Sequence, residues 1–499
     1  MNRNQSICLV SPPKRTTSRL IPNALISLAA WLDKEGIPNS IVDIKREPTV
    51  QIDDGKREEI IGEILAEIKA RKPTYVGLPC YSPDYYDVMD LAKRIKIECS
   101  PLKIIVGGIH ATVKPQDFVF PDSPVDYAVV GEGEETLVDL IRRDLDGGEI
   151  GEVAGLAFCA DGEFVLTSER NPMNLELLPM PAYQKIDMQY YLKPTRYLIR
   201  LLLLSGVSIF TTRGCPFQCT FCANRMRRVR FRPVELVLDE IEWLKDNYSI
   251  DSFYVQDDTF CLKEKRVFEF VEGLKQRTLQ LVWGAETRVD LLTESILSSM
   301  KKAGCIQIDL GVESGSQKAL DRMRKNIKVE EIKSVFKMCR KYGVRTFATV
   351  MLNTPDETED DVRLTRALMR DIKATNYGLN LTVPFIGTNI YEEFVRPELT
   401  VAEYWLYDDP DLYHSIKDPR FRLAAHNLDL TRLYMKTLLG FQLWRSLLDV
   451  TTSQNYWRAV LNSKRRGEYI WAFMQGLYRQ MKTYLRYAMN FLKKKDLYR

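Results

Sequence analysis

"TTRGCPFQCTFCANR", residues 211 to 225, places three cysteines at i, i+4 and i+7 with a proline and two aromatics between them. A structural zinc site takes four ligands, usually as two separated pairs. Cys215, Cys219 and Cys222 supply one ligand too few, in a loop with no histidine nearby. The fourth place needs a group that this loop does not provide.

The loop follows a β-rich run, and strand-helix alternation continues beyond it. "SIFTTRG", "SFYVQDD", "LVWGAET", "CIQIDLGVES", "RTFATVML" and "GLNLTVPF" read as six strands separated by helical stretches, which predicts an open or partial (β/α)6 barrel. In parallel α/β barrels the chemistry sits on the loops after the strands, so the cysteine loop lies where the other strand ends converge.

Residues 5 to 145 alternate in the same way. "SICLVSP", "NSIVDI", "TYVGLPCYS", "LKIIVGG" and "VDYAVVG" are strand candidates, with helical stretches at "NALISLAAWLDKEG", near 57 to 71, near 85 to 98 and from "EGEETLVDL" onward. The pattern predicts a doubly wound, Rossmann-like parallel sheet, which binds ligands beyond the carboxyl ends of its strands. Those ends read Ser11-Pro12-Pro13, Pro79 to Ser82, Gly107-Gly108-Ile109-His110 and Gly131-Glu132-Gly133-Glu134. They are small, polar and glycine-rich, as close backbone approach to a ligand demands.

From about 150 to 205 the chain reads as an irregular, proline-containing linker draped over a domain, and residues 401 to 499 read as helical. The expected organisation is a ligand-binding domain at 1–150, a linker at 151–205, a barrel at 206–400 and a helical domain at 401–499. A length of 499 residues with 45% apolar content suits two or three cored domains. The ten cysteines are mostly singletons in apolar segments and the N-terminus carries no long apolar stretch, which predicts a reducing cytoplasmic location. "LIRLLLLSGVSIF", the most apolar run, is broken by Arg200 and falls short of the roughly 20 residues of a spanning helix.

Thiolates are the preferred ligands of iron-sulfur clusters, and three of them hold three irons of a cubane while leaving one open to a substrate. The C-x3-C-x2-C spacing with Phe221 before the last cysteine resembles the signature of radical S-adenosylmethionine (SAM) enzymes, in which the open iron chelates the amino and carboxylate groups of SAM. Further strand ends match that family in order: Asp257-Asp258 after the second strand, Glu286-Thr287-Arg288 after the third, "GVESGS" after the fourth and "PFIGTNIYEEF" after the sixth. The resemblance implies SAM contacts from Phe221, Asp257, Asp258, Arg288, Glu313 and Ser314. "MLNTPDET" after the fifth strand departs from the family's glycine-leucine-proline-glycine form.

"VGGIHATVKPQDF" followed by "VDYAVVGEGEETLVDLI" resembles the domain that precedes the barrel in cobalamin-dependent radical SAM enzymes. It implies cobalamin contacts from Ser82, Gly107, Gly108, His110, Gly131 and Glu132. The Asp-x-His-x-x-Gly motif by which the cobalamin module of methionine synthase ligates cobalt is replaced by "DIKREPT" at 43 to 49. His110 is therefore expected as a loop residue near the corrinoid and not as a cobalt ligand, with a histidine satisfied in a turn as the equal alternative; Cys80-Tyr81-Ser82 would lie near the lower face.

The implied activity is that of an enzyme with a 4Fe-4S cluster, SAM and cobalamin, methylating an unactivated carbon of a lipid or secondary metabolite. Cobalamin-assisted cyclisation or oxidation is the alternative within the class, and a non-catalytic cobalamin or SAM sensor the alternative outside it. An electron donor such as flavodoxin or ferredoxin is the implied partner, and no basic, aromatic groove for nucleic acid is evident. Residues 458 to 499 carry eleven Lys and Arg against Glu468 and Asp496, beside an apolar stripe at Ile470, Met474, Leu477, Met481, Tyr484, Ala488 and Phe491. Two uses fit that composition: packing on the barrel, and peripheral contact with an anionic membrane.

Overall fold

The computed structural model describes residues 6–13, 20–45, 54–200, 202–223, 226–394, 422–430, 432, 433, 437 and 454–475. The first unit is a sheet with strands β1 (Ile7–Val10), β2 (Asn39–Val42), β3 (Tyr75–Pro79), β4 (Lys103–Gly107), β5 (Tyr127–Val129), β6 (Leu156–Ala160) and β7 (Glu163–Leu166) in the order β2-β1-β3-β4-β5-β6-β7. The first five pair in parallel. Strands such as "ICLV" are buried on both faces because helices cover both, as their unbroken apolar character predicts. The order reverses between β1 and β3, the topological switch point at which such sheets take ligands.

Residues 156–166 correct the expectation of an irregular linker. Strands β6 and β7 form an antiparallel hairpin that extends the first sheet. The turn is Asp161-Gly162, both at positive φ (51° and 83°), a short-range hairpin signal that the sequence carries openly. The rest of the segment, from 167 to 191, lies against both units: Tyr183 stacks on Trp243 and donates its hydroxyl to Glu240 Oε1 at 2.6 Å.

The second unit has β8 (Gly206–Ile209), a short ribbon of β9 (Thr212–Arg213) with β10 (Arg230–Phe231), then β11 (Ser252–Val255), β12 (Val282–Thr287), β13 (Cys305–Glu313), β14 (Arg345–Leu352) and β15 (Asn376–Leu381). Strands β15-β14-β13-β12-β11-β8 form one parallel sheet in chain order, the six βα units expected of the partial barrel. Local signals start its helices. Thr358 and Asp361, for example, make a reciprocal capping box at the head of Glu359–Ile372.

After β15, Ile386 and Tyr391 pack into the core of the first unit, and Gly387 (φ 87°) lies so close that an added Cβ would sit 2.7 Å from Val113 Cγ1. Helix Gln454–Asn462 closes the lower end of the barrel, with Tyr456 and Val460 against Val282 and Ile306. Tyr469 anchors the next helix by accepting from Ser205 N at 2.8 Å and donating to Asp251 at 3.0 Å. The stripe read at Ile470 and Met474 is not core: both are exposed, and its remainder from Leu477 onward lies outside the described residues. Among the described residues no helix is long and apolar enough to cross a membrane.

Candidate active site

The ribbon of β9 and β10 closes the base of the cysteine loop, pairing Arg213 with Arg230 and Thr212 with Phe231. Gly214 makes the first turn at φ 98°, where a Cβ would meet the carbonyls of Arg228 and Met226 at 2.7 and 2.9 Å, so only glycine fits. Cys215 N donates to Met226 O at 2.9 Å, Cys222 N to Cys219 O at 3.1 Å, and Thr220 N to Met323 O at 3.0 Å. The loop is thus tied to itself and to the segment beyond β13. Asp257 pins the strand before it: its carboxylate accepts from Thr211 N at 2.6 Å, Thr212 N at 3.0 Å and the Thr211 hydroxyl. Those bonds occupy a carboxylate only 1% exposed, so Asp257 holds the loop's entry. Asp258, its neighbour, is exposed.

Two cations flank the middle cysteine. Arg288 stacks over Phe217 at 3.7 Å, donates to Lys325 O at 2.6 Å and to Asp290, and brings Nη1 within 3.9 Å of Cys219 Sγ. Lys325, which the sequence reading missed, ion-pairs with Glu313 at 2.8 Å and lies 5.9 Å from the Phe221 ring centre. Burial raises the Cys219 thiol above its ordinary range while Lys325 and Arg288 pull it down. Glu313 sits at a register shift in β13 with φ 60°, a conformation rare for a side-chain-bearing residue and concentrated at functional sites. Ser314 is fully buried, and its hydroxyl bonds Thr365 and accepts from Ser316 N, which braces the turn after β13.

In the first unit the sheet order brings Ser82, Gly107, Gly108 and Gly131 to adjacent strand ends. Gly108 (φ 103°) packs on the Cys80 carbonyl, which a Cβ would approach to 2.8 Å; Gly131 (φ 88°) faces open space. His110 is not in the glycine loop but in the single helical turn Ile109–Val113, fully buried against Tyr85 and Phe118. Its Nδ1 bonds Ser82 Oγ at 2.8 Å and its Nε2 bonds Asp117 at 3.0 Å, which makes it a brace behind the loop and leaves neither nitrogen for cobalt. Both side-chain oxygens of Glu132 accept from Arg213 and Arg230.

Inside the barrel, on the face opposite the helices, Tyr254 pairs in register with Gly284, and Glu286 with Asp309. Asp309 accepts from Arg200 at 2.8 Å, and Glu286 has no hydrogen bond among the described residues. Burial, followed by the charge of Asp309, raises the Glu286 carboxyl to about 7 against a partial offset from Arg200. The folded chain therefore holds this proton more tightly than the unfolded chain. The contribution of this group to stability falls by at most on the order of 3 kcal/mol as pH rises from about 4.5 to about 7 and is level above. Glu286→Gln is expected to remove that slope and to raise the denaturation midpoint at pH 8; an unchanged slope in the apo variant would contradict the assignment.

The fold and loop define a class: a partial-barrel enzyme carrying three thiols at its strand ends, joined to a doubly wound ligand-binding domain. Among the described residues no three His, Cys, Asp or Glu side chains are arranged to hold a metal ion directly. The fit to an iron-sulfur cluster is one of donor chemistry, with three thiols in eight residues and two cations to balance a cluster's negative charge. The open backbone at Gly131 leaves room for a ligand beyond the strand ends of the first sheet.

Residues 209–369 match the Radical SAM superfamily, and residues 16–141 match the B12 binding domain. An uncharacterized methyltransferase of Pyrococcus horikoshii is 28% identical over 410 residues, covering 80% of this chain and 85% of that protein. The anaerobic magnesium-protoporphyrin IX monomethyl ester cyclase of Rubrivivax gelatinosus is 28% identical over 66% of this chain, which spans 60% of the cyclase. The fold is that of the radical SAM methyltransferase TsrM from Kitasatospora setae, solved with cobalamin and a [4Fe-4S] cluster: TM-score 0.64, 19% identity, covering 78% of this chain and 74% of that one. The chain thus joins a B12-binding domain to a radical SAM domain, and the cofactors these domains take are cobalamin for the first and SAM with a 4Fe-4S cluster for the second.

Proposed function

We propose that the chain methylates an unactivated carbon of a small molecule, a lipid or a secondary metabolite. The observation that carries this reading is the placement of the three-thiol loop at the strand ends of the barrel, bonded directly to the ligand-binding edge of the first sheet through Glu132 and Glu134. When bound, the cluster with SAM supplies a deoxyadenosyl radical that removes hydrogen from carbon, and cobalamin carries the methyl group. Cys215, Cys219 and Cys222 would hold the cluster. Arg288 and Lys325 place positive charge beside the middle thiol, and Glu313 offers a carboxylate to the donors of SAM. Glu286, Asp309 and Tyr254 line the barrel interior in which a substrate would sit. An electron donor such as flavodoxin or ferredoxin would serve the cluster. The name of the Rubrivivax relative supports ring formation or oxidation as the second chemistry. Anaerobic purification with cobalamin, followed by mass spectrometry of extracts from a deletion strain, tests the choice: a metabolite lighter by one methyl group supports methylation, and one lacking a ring overturns it.

A peripheral membrane contact, and with it a lipid-soluble substrate, draws support from the helix at 466–475. Ile470, Trp471, Phe473 and Met474 are exposed there, beside Arg465 and Arg466. Each basic residue near an anionic surface contributes about 1 kcal/mol, and salt weakens that attraction. The full chain is expected to co-sediment with anionic vesicles at low salt and to be released at high salt. Equal, negligible sedimentation with anionic and neutral vesicles would remove the membrane contact.

A further inference from the structure

The two arginines that face each other across the base of the cysteine loop both reach out of the barrel and into the first unit. Arg213 donates to Glu132 Oε1 at 2.7 Å, to Glu134 Oε1 at 2.6 Å and to Ser27 Oγ at 3.3 Å. Arg230 donates to Glu132 Oε2 at 2.6 Å and Oε1 at 2.9 Å, and to Met173 O at 2.8 Å. Glu132 also accepts from Met173 N at 3.1 Å, and Ser27 donates to Glu134 at 3.1 Å. Two guanidinium groups and two carboxylates thus form a charge-balanced network whose side chains are between 5% and 23% exposed.

Its members occupy positions that matter for register. Glu132 and Glu134 lie at the head of the fourteen-residue helix Gly133–Asp146, directly after β5 and beside the open Gly131 turn of the cobalamin edge. Arg213 immediately precedes Gly214, and the loop that it opens returns at Arg230. The apolar contact of Ile386, Gly387 and Tyr391 already docks the two units elsewhere, so burial of apolar surface does not require these charges. Planar guanidinium groups bonded at two nitrogens set angle as well as distance, which lysines cannot do.

We infer that Arg213, Arg230, Glu132 and Glu134 form a positioning latch that registers the cysteine loop against the cobalamin-binding edge. This rests on the proposed function for its purpose, and the latch itself is testable without cofactors. Burial raises the Glu132 carboxyl, but Arg230 and Arg213 outweigh it and hold the group below its ordinary range. The stabilisation is therefore present above the ordinary carboxylate range and is lost as pH falls through the lowered value.

Hydrogen-deuterium exchange of the full chain, wild type against Glu134→Gln and Arg230→Lys, tests the latch. Exchange over residues 212–231 and 131–136 is expected to rise at least about tenfold, with helix Val329–Lys341 unchanged. Unchanged exchange at 212–231 in both variants would overturn the latch. In the Arg230→Lys holoenzyme the distribution of spin-spin distances between cobalt(II) and the reduced cluster is expected to broaden while cluster content, cobalamin content and deoxyadenosine formation stay within about twofold. A distance distribution as narrow as that of the wild type would overturn the positioning role. Failure of the wild type to bind cobalamin would instead sink the proposed function and leave the exchange result standing.

Discussion

Replacing Cys215, Cys219 and Cys222 together with alanine abolishes the cluster's absorbance and brings SAM cleavage to background, in one step and with the fold intact. The expectation combines the chemistry of the donor set with the architecture around it. A cubane cluster loses its protein ligands altogether in the triple variant, and no other cysteine lies close in sequence, since Cys261, Cys305 and Cys339 are buried in the core. The scaffold should persist because the loop is held by contacts that the thiols do not make. Arg288 keeps Phe217, Asp290 and the Lys325 carbonyl; Thr220 keeps Met323; the ribbon keeps its pairing. Anaerobic reconstitution, iron analysis and deoxyadenosine assay, with circular dichroism of the apo proteins as the control, check this. Deoxyadenosine formed by a correctly folded triple variant would end the assignment of the loop.

Lys325→Met is expected to destabilise the chain by about 3 to 5 kcal/mol and to weaken SAM binding at least about tenfold, because it leaves Glu313 buried without its counter-charge. The two side chains are 8% and 6% exposed, so water cannot stand in for the missing ammonium group. Removing both charges should be far milder for stability, since a buried pair replaced by neutral groups often costs little. Lys325→Met with Glu313→Gln should therefore recover most of the lost denaturation midpoint and none of the SAM affinity, which depends on the carboxylate. A double-mutant cycle on the apo chain measures the coupling. Additive effects on stability would show that the pair is not energetically linked; full SAM affinity in the Glu313→Gln variant would remove Glu313 from the binding site.

How much of this was legible beforehand follows from the range over which each signal acts. The six barrel strands and the five parallel strands of the first sheet are written in apolar runs, because a strand covered by helices on both faces must be apolar over its own length. The cysteine loop is likewise local, with its ligand count, spacing and opening glycine falling within twelve residues. The hairpin at 156–166 was equally local in its Asp-Gly turn and was missed under the apparent irregularity of the prolines around it. Residue types alone were a weaker guide to roles. Asp257, Ser314 and Glu132 are polar groups at strand ends, as ligand contacts would be, and each is bonded by neighbours in the fold. His110 followed the same rule, its two nitrogens spent on Ser82 and Asp117.

The sequence by itself determined the two parallel sheets, their order along the chain, the three thiols and the strand end that carries them, because each depends on periodicity or spacing within one element. The tertiary structure alone decided which charges stand beside those thiols. Arg288 reaches Cys219 across 69 positions of chain, and Arg213 and Arg230 reach Glu132 across 81 and 98. An ion pair of that kind has no local pattern; it exists only once the packing of two sheets has brought its partners within hydrogen-bond distance and excluded the water that would otherwise solvate them.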